Sequence, residues 1–168
     1  MSGASAPARR ALAPHEVWQE VYPAGTLAAG AGIWPATLPD GRQVALPVRM
    51  LPGDGGQAVA SLILNQAGFG VLDAIADAVA AALRPFAAEV VVAVPTLGLP
   101  LAEGVARRLG HRRMVALGTS RKFWYEEALS EPLSSITTPD QAKRIYLDPR
   151  MIPVLAGRRV ALVDDVAS

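Results

Sequence analysis

The sequence predicts an α/β fold in which helices flank a central parallel sheet, and three observations support this prediction. Residues 90–94 form a short continuous apolar run, which is typical of a strand buried on both faces of a parallel sheet. The segment 99–109 has apolar residues at helical spacing, and an apolar strand at 113–117 follows it. A third strand, at 159–163, is also expected to be buried, and it leads into two adjacent aspartates. Strand, helix and strand in this order favour parallel pairing with a right-handed crossover.

Length and composition limit the classes of protein. A chain of 168 residues with 51% hydrophobic and 18% charged residues is suited to one folded domain. The 16 Lys and Arg nearly balance the 15 Asp and Glu, which argues against a general nucleic-acid binder and gives no reason to expect a membrane partner. The absence of cysteine excludes disulfides and fits a reducing cytoplasm, where we expect the protein to be.

The N-terminal half mixes a tail, a hairpin and a helix. Small residues and prolines predict that 1–14 are a disordered tail, and 15–168 are expected to form a single domain. His15–Tyr22 is expected to form a short helix or an irregular segment. Asp40-Gly41 suits a tight turn between strands Ile33–Leu38 and Gln43–Arg49, and a loop is expected at 51–57.

Residues 58–84 are predicted to be helical, because Val71, Ile75, Val79 and Leu83 recur at every fourth position. Gly68-Phe69-Gly70 is expected to break this region. Asp73 is expected in the first turn that follows, where a negative charge favours the helix dipole. The long segment 118–157 predicts a functional connection with a short strand near 144–147.

Two strand ends are candidate ligand sites, since ligands of open α/β sheets bind at the carboxyl ends of strands. Pro95, Thr96, Leu97 and Gly98 join a strand to a helix N-terminus, where backbone N–H groups and the helix dipole favour an anion. Gly98 would let the backbone approach that anion closely. Taken alone, this pattern is more often an ordinary βα turn.

Asp164 and Asp165 form the second candidate site. Two adjacent carboxylates are costly to bury unpaired, and they suit ribose hydroxyls or a hydrated Mg²⁺. They could also be solvated residues that cap a following helix. A nucleotide-hydrolase strand is disfavoured, because the sequence has no G-x-x-x-x-G-K-[ST] stretch.

Three motifs in order resemble type I phosphoribosyltransferases. Val160–Ser168 (VALVDDVAS) resembles the signature that binds phosphoribosyl pyrophosphate (PRPP), and 90–110 resembles the pyrophosphate loop with its strand and helix. Arg121-Lys122 resembles the basic pair of adenine-type members. The resemblance implies the type I phosphoribosyltransferase fold, with a hood from about 15–56 and 119–150. The fold is expected to be C-terminally incomplete, because the chain ends before the Thr-Gly or Ser-Gly of the phosphate loop.

The resemblance also implies an activity. The expected reaction moves 5-phosphoribosyl from PRPP to a nucleobase with release of pyrophosphate, in nucleotide salvage. Mg²⁺ is the implied cofactor, and a homodimer is the implied assembly. Arg121-Lys122 favours a purine, of the adenine type, as the acceptor. Two alternatives remain open: a regulator that senses PRPP or a nucleotide, and a non-catalytic dimerisation module of the same fold.

Site residues follow from the motifs and from position in the hood segment. Carboxylates and a tyrosine are the candidate catalytic residues, namely Asp164, Asp165, Glu126 and Tyr125, with Asp164 and Asp165 holding the metal through water. Contacts to PRPP are expected from Pro95, Thr96, Leu97, Gly98, Arg121, Lys122, Lys143, Val166, Ala167 and Ser168. Glu126 is more often a solvated charge, and Tyr125 is as readily a loop anchor as a substrate contact. Trp18 and Trp34 are expected to be packing residues.

Overall fold

The computed structural model describes residues 12–51, 56–133 and 143–166. The chain divides into two compact units. One runs to Leu62 and includes Gln66–Val71, and the other comprises Ile63–Asn65 and the chain from Leu72 onward. Most of the expected tail, 1–14, lies outside the described residues, and a single domain spanning both units stays a prediction.

The first unit is built on an antiparallel sheet. Its strands are β1 (Val21–Tyr22), β2 (Ile33–Thr37), β3 (Gln43–Met50) and β4 (Ala58–Ala60), and β3 pairs with each of the other three. The predicted hairpin is confirmed: β2 and β3 flank the Asp40-Gly41 turn, where Gly41 has a φ of +87°. The region predicted as a short helix or irregular segment at 15–22 consists of turns followed by β1.

The prediction of a helix from residue 58 is wrong at its start. Residues 58–60 form β4, because the edge of β3 offers backbone partners in the register Val48 to Ala60. Trp18 is a packing residue as expected, 6% exposed, and its Nε1 donates to the Ser61 carbonyl at 2.8 Å. Trp34 is 53% exposed, so the expectation that it packs is wrong. It lies opposite Leu46, on a sheet face that also leaves Val48 and Met50 exposed.

The second unit holds the parallel sheet. Its elements in chain order are α1 (Phe69–Leu83, whose first residues belong to the other unit), β5 (Val90–Ala93), α2 (Gly98–Arg108), β6 (Val115–Ala116), β7 (Ser130–Leu133), β8 (Lys143–Tyr146), α3 (Ile152–Leu155) and β9 (Val160–Val163). The sheet order is β6-β5-β9 with both pairings parallel, which confirms the predicted fold class. The long connection contributes an antiparallel pair, β7 with β8.

The core of this unit lies around β5, which is buried along its whole length as predicted. Val90 and Val92 pack with Val115, and side chains of the segment from Leu117 to Leu155 cover them. The prediction that β9 is buried on both faces is wrong, since Val160 and Leu162 are 45% and 65% exposed. In the part of the chain that is described, β9 is an edge strand with one covered face.

Helices α1 and α2 are joined by one arginine. Because α1 begins at Phe69, Asp73 lies beyond its first turn, and the predicted dipole role is wrong. Instead, the Arg108 guanidinium donates to Asp77 through Nε and to Asp73 Oδ1 through Nη2 at 2.8 Å. The hydrogen bonds that Arg108 donates to Asp77 and then to Asp73 raise the pKa of Arg108. Only 23% of the Arg108 side chain is exposed, so this pairing is better shielded than most surface ion pairs.

Arg108→Ala is expected to lower the free energy of unfolding by about 1–2 kcal/mol, because it removes two ion pairs that share one partly buried cation. Arg107→Ala is the matched control in the same helical turn. Arg107 is 74% exposed and, among the described residues, pairs only with Glu103 four residues earlier, so a loss of about 0.3–0.5 kcal/mol is expected. Urea denaturation measures both values. Equal losses in the two variants would show that the ion pairs of Arg108 with Asp73 and Asp77 contribute no more than an exposed pair does.

In the described ranges, no helix combines the length and the apolar character that crossing a membrane requires.

Candidate active site

Three chain segments leave the parallel sheet at one edge. Strands β5, β6 and β9 run in the same direction, so their carboxyl ends meet there. The ladder continues just past the strands, with Val94 N donating to Val163 O at 3.0 Å and Leu117 N donating to Ala93 O at 3.1 Å. The segments that follow, 94–98, 117–125 and 164–166, contain most of the predicted site residues.

The loop from Pro95 to Gly98 leads directly into α2. Thr96 is exposed, Gly98 is buried, and the Pro95–Thr96 peptide bond is cis. Leu97 precedes the helix and supplies no side-chain cap. Leu99 N donates to Thr96 O at 3.4 Å and Pro100 has no N–H. The N–H groups of Thr96, Leu97 and Gly98 have no acceptor among the described residues, which leaves them able to bind an anion.

Asp164 and Asp165 follow β9 beside this loop. Asp164 Oδ1 accepts a hydrogen bond from Asp165 N at 2.9 Å, and Asp164 lies against Gly98, the first residue of α2. Partial burial of its carboxylate raises the pKa of Asp164 to about 6, against the lowering effect of the Asp165 N–H; the neighbouring Asp165 carboxylate raises it further. The Asp164 residue remains accessible at the surface, so a ligand can reach it.

The carboxylate pair fits the Mg²⁺ that phosphoribosyl transfer chemistry implies. Carboxylate oxygens are the ligands that Mg²⁺ prefers, and Mg²⁺ usually keeps several waters and substrate oxygens. Within the described ranges, no group of three or more His, Cys, Asp or Glu residues could form a protein cage for a metal. Two carboxylates fit a Mg²⁺ that would take its other ligands from waters and substrate oxygens.

Arg121 and Lys122 lie in the segment that follows β6. Both are exposed, and neither has an ion pair with a described residue. Lys122 begins a turn that is closed by a 3.1 Å hydrogen bond from Tyr125 N to Lys122 O. The two cations are thus available to an anionic ligand at the same edge of the sheet.

Tyr125 is packed into the protein. Its ring stacks on Tyr146 with centroids 5.4 Å apart and an interplanar angle of 5°. It also lies over Gly118, which pairs with Tyr146 through two 2.9 Å backbone hydrogen bonds. This is the packing of a loop anchor, the alternative that the sequence left open. A substrate contact by Tyr125 stays a prediction.

Two aromatic residues that were not among the predicted site residues occupy the centre of the turn. Phe123 is 97% exposed and Trp124 is 47% exposed, and their rings meet edge to face at 4.7 Å. The sequence alone does not distinguish the three consecutive aromatics at 123–125, and only Tyr125 was among the predicted site residues. Only the tertiary partner Tyr146 shows which of the three turns inward.

The remaining predicted residues are placed as follows. Glu126 is exposed, whereas its neighbour Glu127 pairs with Arg144 at 3.1 Å. Arg144 also donates to the buried Ser130 hydroxyl, so its guanidinium is engaged within the β7–β8 pair. Val166 is 62% exposed after the aspartates. The Lys143 side chain and Ala167 and Ser168 lie outside the described residues.

Comparison with known proteins agrees with this geometry. The family model described as a phosphoribosyl transferase domain matches residues 66–168, which is 103 of the 168 residues. No curated protein matches the chain. The match covers the whole sheet edge described above, including both candidate strand ends, and it indicates PRPP as the substrate and a pentosyltransferase type of chemistry. This chain belongs to the phosphoribosyl transferase domain family, of the type I fold.

Proposed function

We propose that this protein transfers 5-phosphoribosyl from PRPP to a nucleobase, with a purine of the adenine type as the acceptor, and releases pyrophosphate in nucleotide salvage. One observation carries the proposal. The Asp164–Asp165 pair lies against the N-terminus of α2, so a carboxylate site for hydroxyls and an amide site for an anion are side by side. PRPP carries both kinds of group on one ribose.

In this proposal each part of PRPP binds one segment of the site. The pyrophosphate binds the backbone amides of Thr96, Leu97 and Gly98, and the α2 dipole favours its charge. Arg121 and Lys122, which are exposed and unpaired among described residues, offset the charge that grows on the leaving pyrophosphate. The protein contributes positioning and electrostatic stabilisation, and no covalent intermediate with a side chain is needed.

Asp164 and Asp165 accept hydrogen bonds from the ribose hydroxyls, or hold Mg²⁺ through its waters. When bound, Mg²⁺ neutralises the pyrophosphate charge and thereby makes it a better leaving group. Contacts to the 5′-phosphate are expected from Val166 and from Ala167 and Ser168, the last two of which lie outside the described residues. Positive charge on the ribose in the transition state is favoured by the two nearby carboxylates once they are ionised.

The acceptor base is assigned to the turn that follows β6. Phe123 and Trp124 offer exposed aromatic rings, and planar bases stack on such rings. Glu126, whose carboxylate is exposed and has no described partner, would accept the proton that the base loses. A homodimer in the cytoplasm belongs to the same proposal, and sedimentation equilibrium tests the dimer.

Calorimetric titration of the full-length protein with PRPP and MgCl₂ tests the proposal. We expect saturable binding, weakened by at least about tenfold in Asp164→Asn/Asp165→Asn. Arg107→Ala, at the far end of α2, is the control and should bind as the unmodified protein does. A screen of bases for pyrophosphate release then identifies the acceptor. Absence of binding by the folded protein would contradict the proposal, and binding without release for any base would favour the PRPP-sensing regulator.

A further inference from the structure

Two of the site's segments, the start of α2 and the end of β9, approach each other closely at Gly98. A Cβ placed on Gly98 would lie 2.9 Å from Val163 O, 3.0 Å from Asp164 Cα and 3.0 Å from Asp164 Oδ1. Real Cβ atoms essentially never approach another heavy atom as closely as 2.9 Å, and contacts of 3.0 Å are tighter than nine in ten real ones. Two of the three atoms belong to the backbone of β9 and its end, so rotation of a side chain cannot relieve them.

Gly98 has no need of a left-handed backbone. It is the first residue of α2, and it is not among the glycines with positive φ. Nothing in its own conformation therefore requires glycine. The requirement comes from what lies against it, namely the end of β9 and the carboxylate of Asp164.

We propose that Gly98 is a positioning residue for Asp164: because it has no side chain, the end of β9 closes against the first residue of α2 and holds the Asp164 carboxylate beside the pyrophosphate loop. The same contact fixes the distance between the amide site and the carboxylate site, and hence the length of ligand that spans both. Its role in the site is additional to any amide it offers to the pyrophosphate. The inference rests on the proposed function, because it concerns the same site.

Gly98→Ala tests the spacing. The backbone N–H remains, so binding of Mg²⁺-pyrophosphate alone should change less than about threefold, whereas the Kd for Mg²⁺-PRPP should rise about tenfold or more. Gly70→Ala is the matched control, since a Cβ there meets nothing within 4 Å, and both affinities should stay unchanged. Equal weakening of pyrophosphate and PRPP in Gly98→Ala would overturn the positioning role.

A second variant approaches the contact from the other side and leaves the backbone intact. Asp164→Glu keeps the charge and adds one methylene where Oδ1 already meets Gly98. If spacing matters, PRPP binding should again weaken about tenfold or more, even should Gly98→Ala fail to fold. Binding equal to that of the unmodified protein in Asp164→Glu would contradict the proposal.

The ¹⁵N–¹H signal of Asp165 separates this inference from the proposed function. Asp165 N donates to Asp164 Oδ1 at 2.9 Å, so its chemical shift reports the carboxylate position without any ligand. The signal should move in Gly98→Ala and stay in Gly70→Ala. An unmoved signal overturns the inference, whereas a moved signal in a protein that does not bind PRPP overturns only the proposed function.

Discussion

Asp164→Asn is expected to remove most PRPP binding and, at the same time, to stabilise the folded protein above pH 6. The folded-state pKa of Asp164 is raised to about 6, mainly because its carboxylate is partly desolvated. The folded protein therefore holds this proton more tightly than the unfolded chain does. Stability contributed by the protonated form is present near pH 4 and is lost as the pH rises to about 6.

Melting temperatures from pH 4 to 8 without Mg²⁺ measure this effect. The Asp164→Asn and unmodified curves should meet near pH 4, and the variant should melt higher above pH 6. Asp40→Asn is the control, because the pKa of Asp40 is shifted in the opposite direction: hydrogen bonds from Arg42 lower it. Its carboxylate favours the folded state at neutral pH, so this variant should not melt higher. A lower melting temperature of Asp164→Asn at pH 7 would contradict the desolvation argument.

The same pKa determines the pH dependence of binding. Ribose hydroxyls and Mg²⁺ waters donate to an ionised carboxylate, so PRPP affinity should fall as the pH drops through about 6. Asp164→Asn is thus expected to stabilise the fold and to inactivate the site, because ligand binding requires a carboxylate charge that the folded protein alone does not favour.

Gly118→Ala is expected to lower the free energy of unfolding by about 1–3 kcal/mol, the usual range for forcing extra volume into a packed site. The new Cβ would lie 2.7 Å from the Tyr125 hydroxyl oxygen and 3.0 Å from the ring edge. The ring cannot retreat easily, because it is stacked on Tyr146. Thermal melts give the loss, and near-ultraviolet circular dichroism reports the displaced tyrosines.

Tyr125→Phe provides the control and a partial rescue. It removes the atom nearest to the new methyl group, so Gly118→Ala/Tyr125→Phe should recover part of the lost stability in a double-mutant cycle. Strictly additive losses would show that the Tyr125 hydroxyl is not the point of collision. Tyr125→Phe alone also separates two roles for this residue: an anchor keeps its turnover without the hydroxyl, and a catalytic tyrosine does not.

The unit β5–α2–β6 could be predicted from sequence because its signals are local. A strand buried on both faces requires a continuous apolar run, and Val90–Val94 has one. The strand at Ala58–Ala60 and the open face of β9 depend on pairing with distant residues, which no local pattern contains. The apolar run at 159–163 predicted a strand correctly but predicted its burial wrongly. Burial of a strand depends on which other segments pack against each of its faces, and the local sequence does not contain that information.

The site divides in the same way. Asp164, Asp165 and the Pro95–Gly98 loop could be found from sequence, because strand ends and helix starts fix the places where ligands bind. The packing of Gly98 on Asp164 and of Tyr125 on Gly118 could not be found. A sequence does not show whether a glycine is required because a neighbouring atom leaves no room for a side chain or because the backbone has a positive φ. Only the positions of the neighbouring atoms distinguish the two cases.

Trp124 gives this protein a built-in optical probe. Of the three tryptophans, Trp18 is buried and Trp34 lies in the other compact unit, whereas Trp124 is half exposed in the turn that also presents the Arg121-Lys122 cations. A molecule that settles on that turn displaces water from the indole and shifts its emission to shorter wavelength. Occupancy of the turn can therefore be followed in real time by fluorescence, without attaching a dye to either the protein or the ligand.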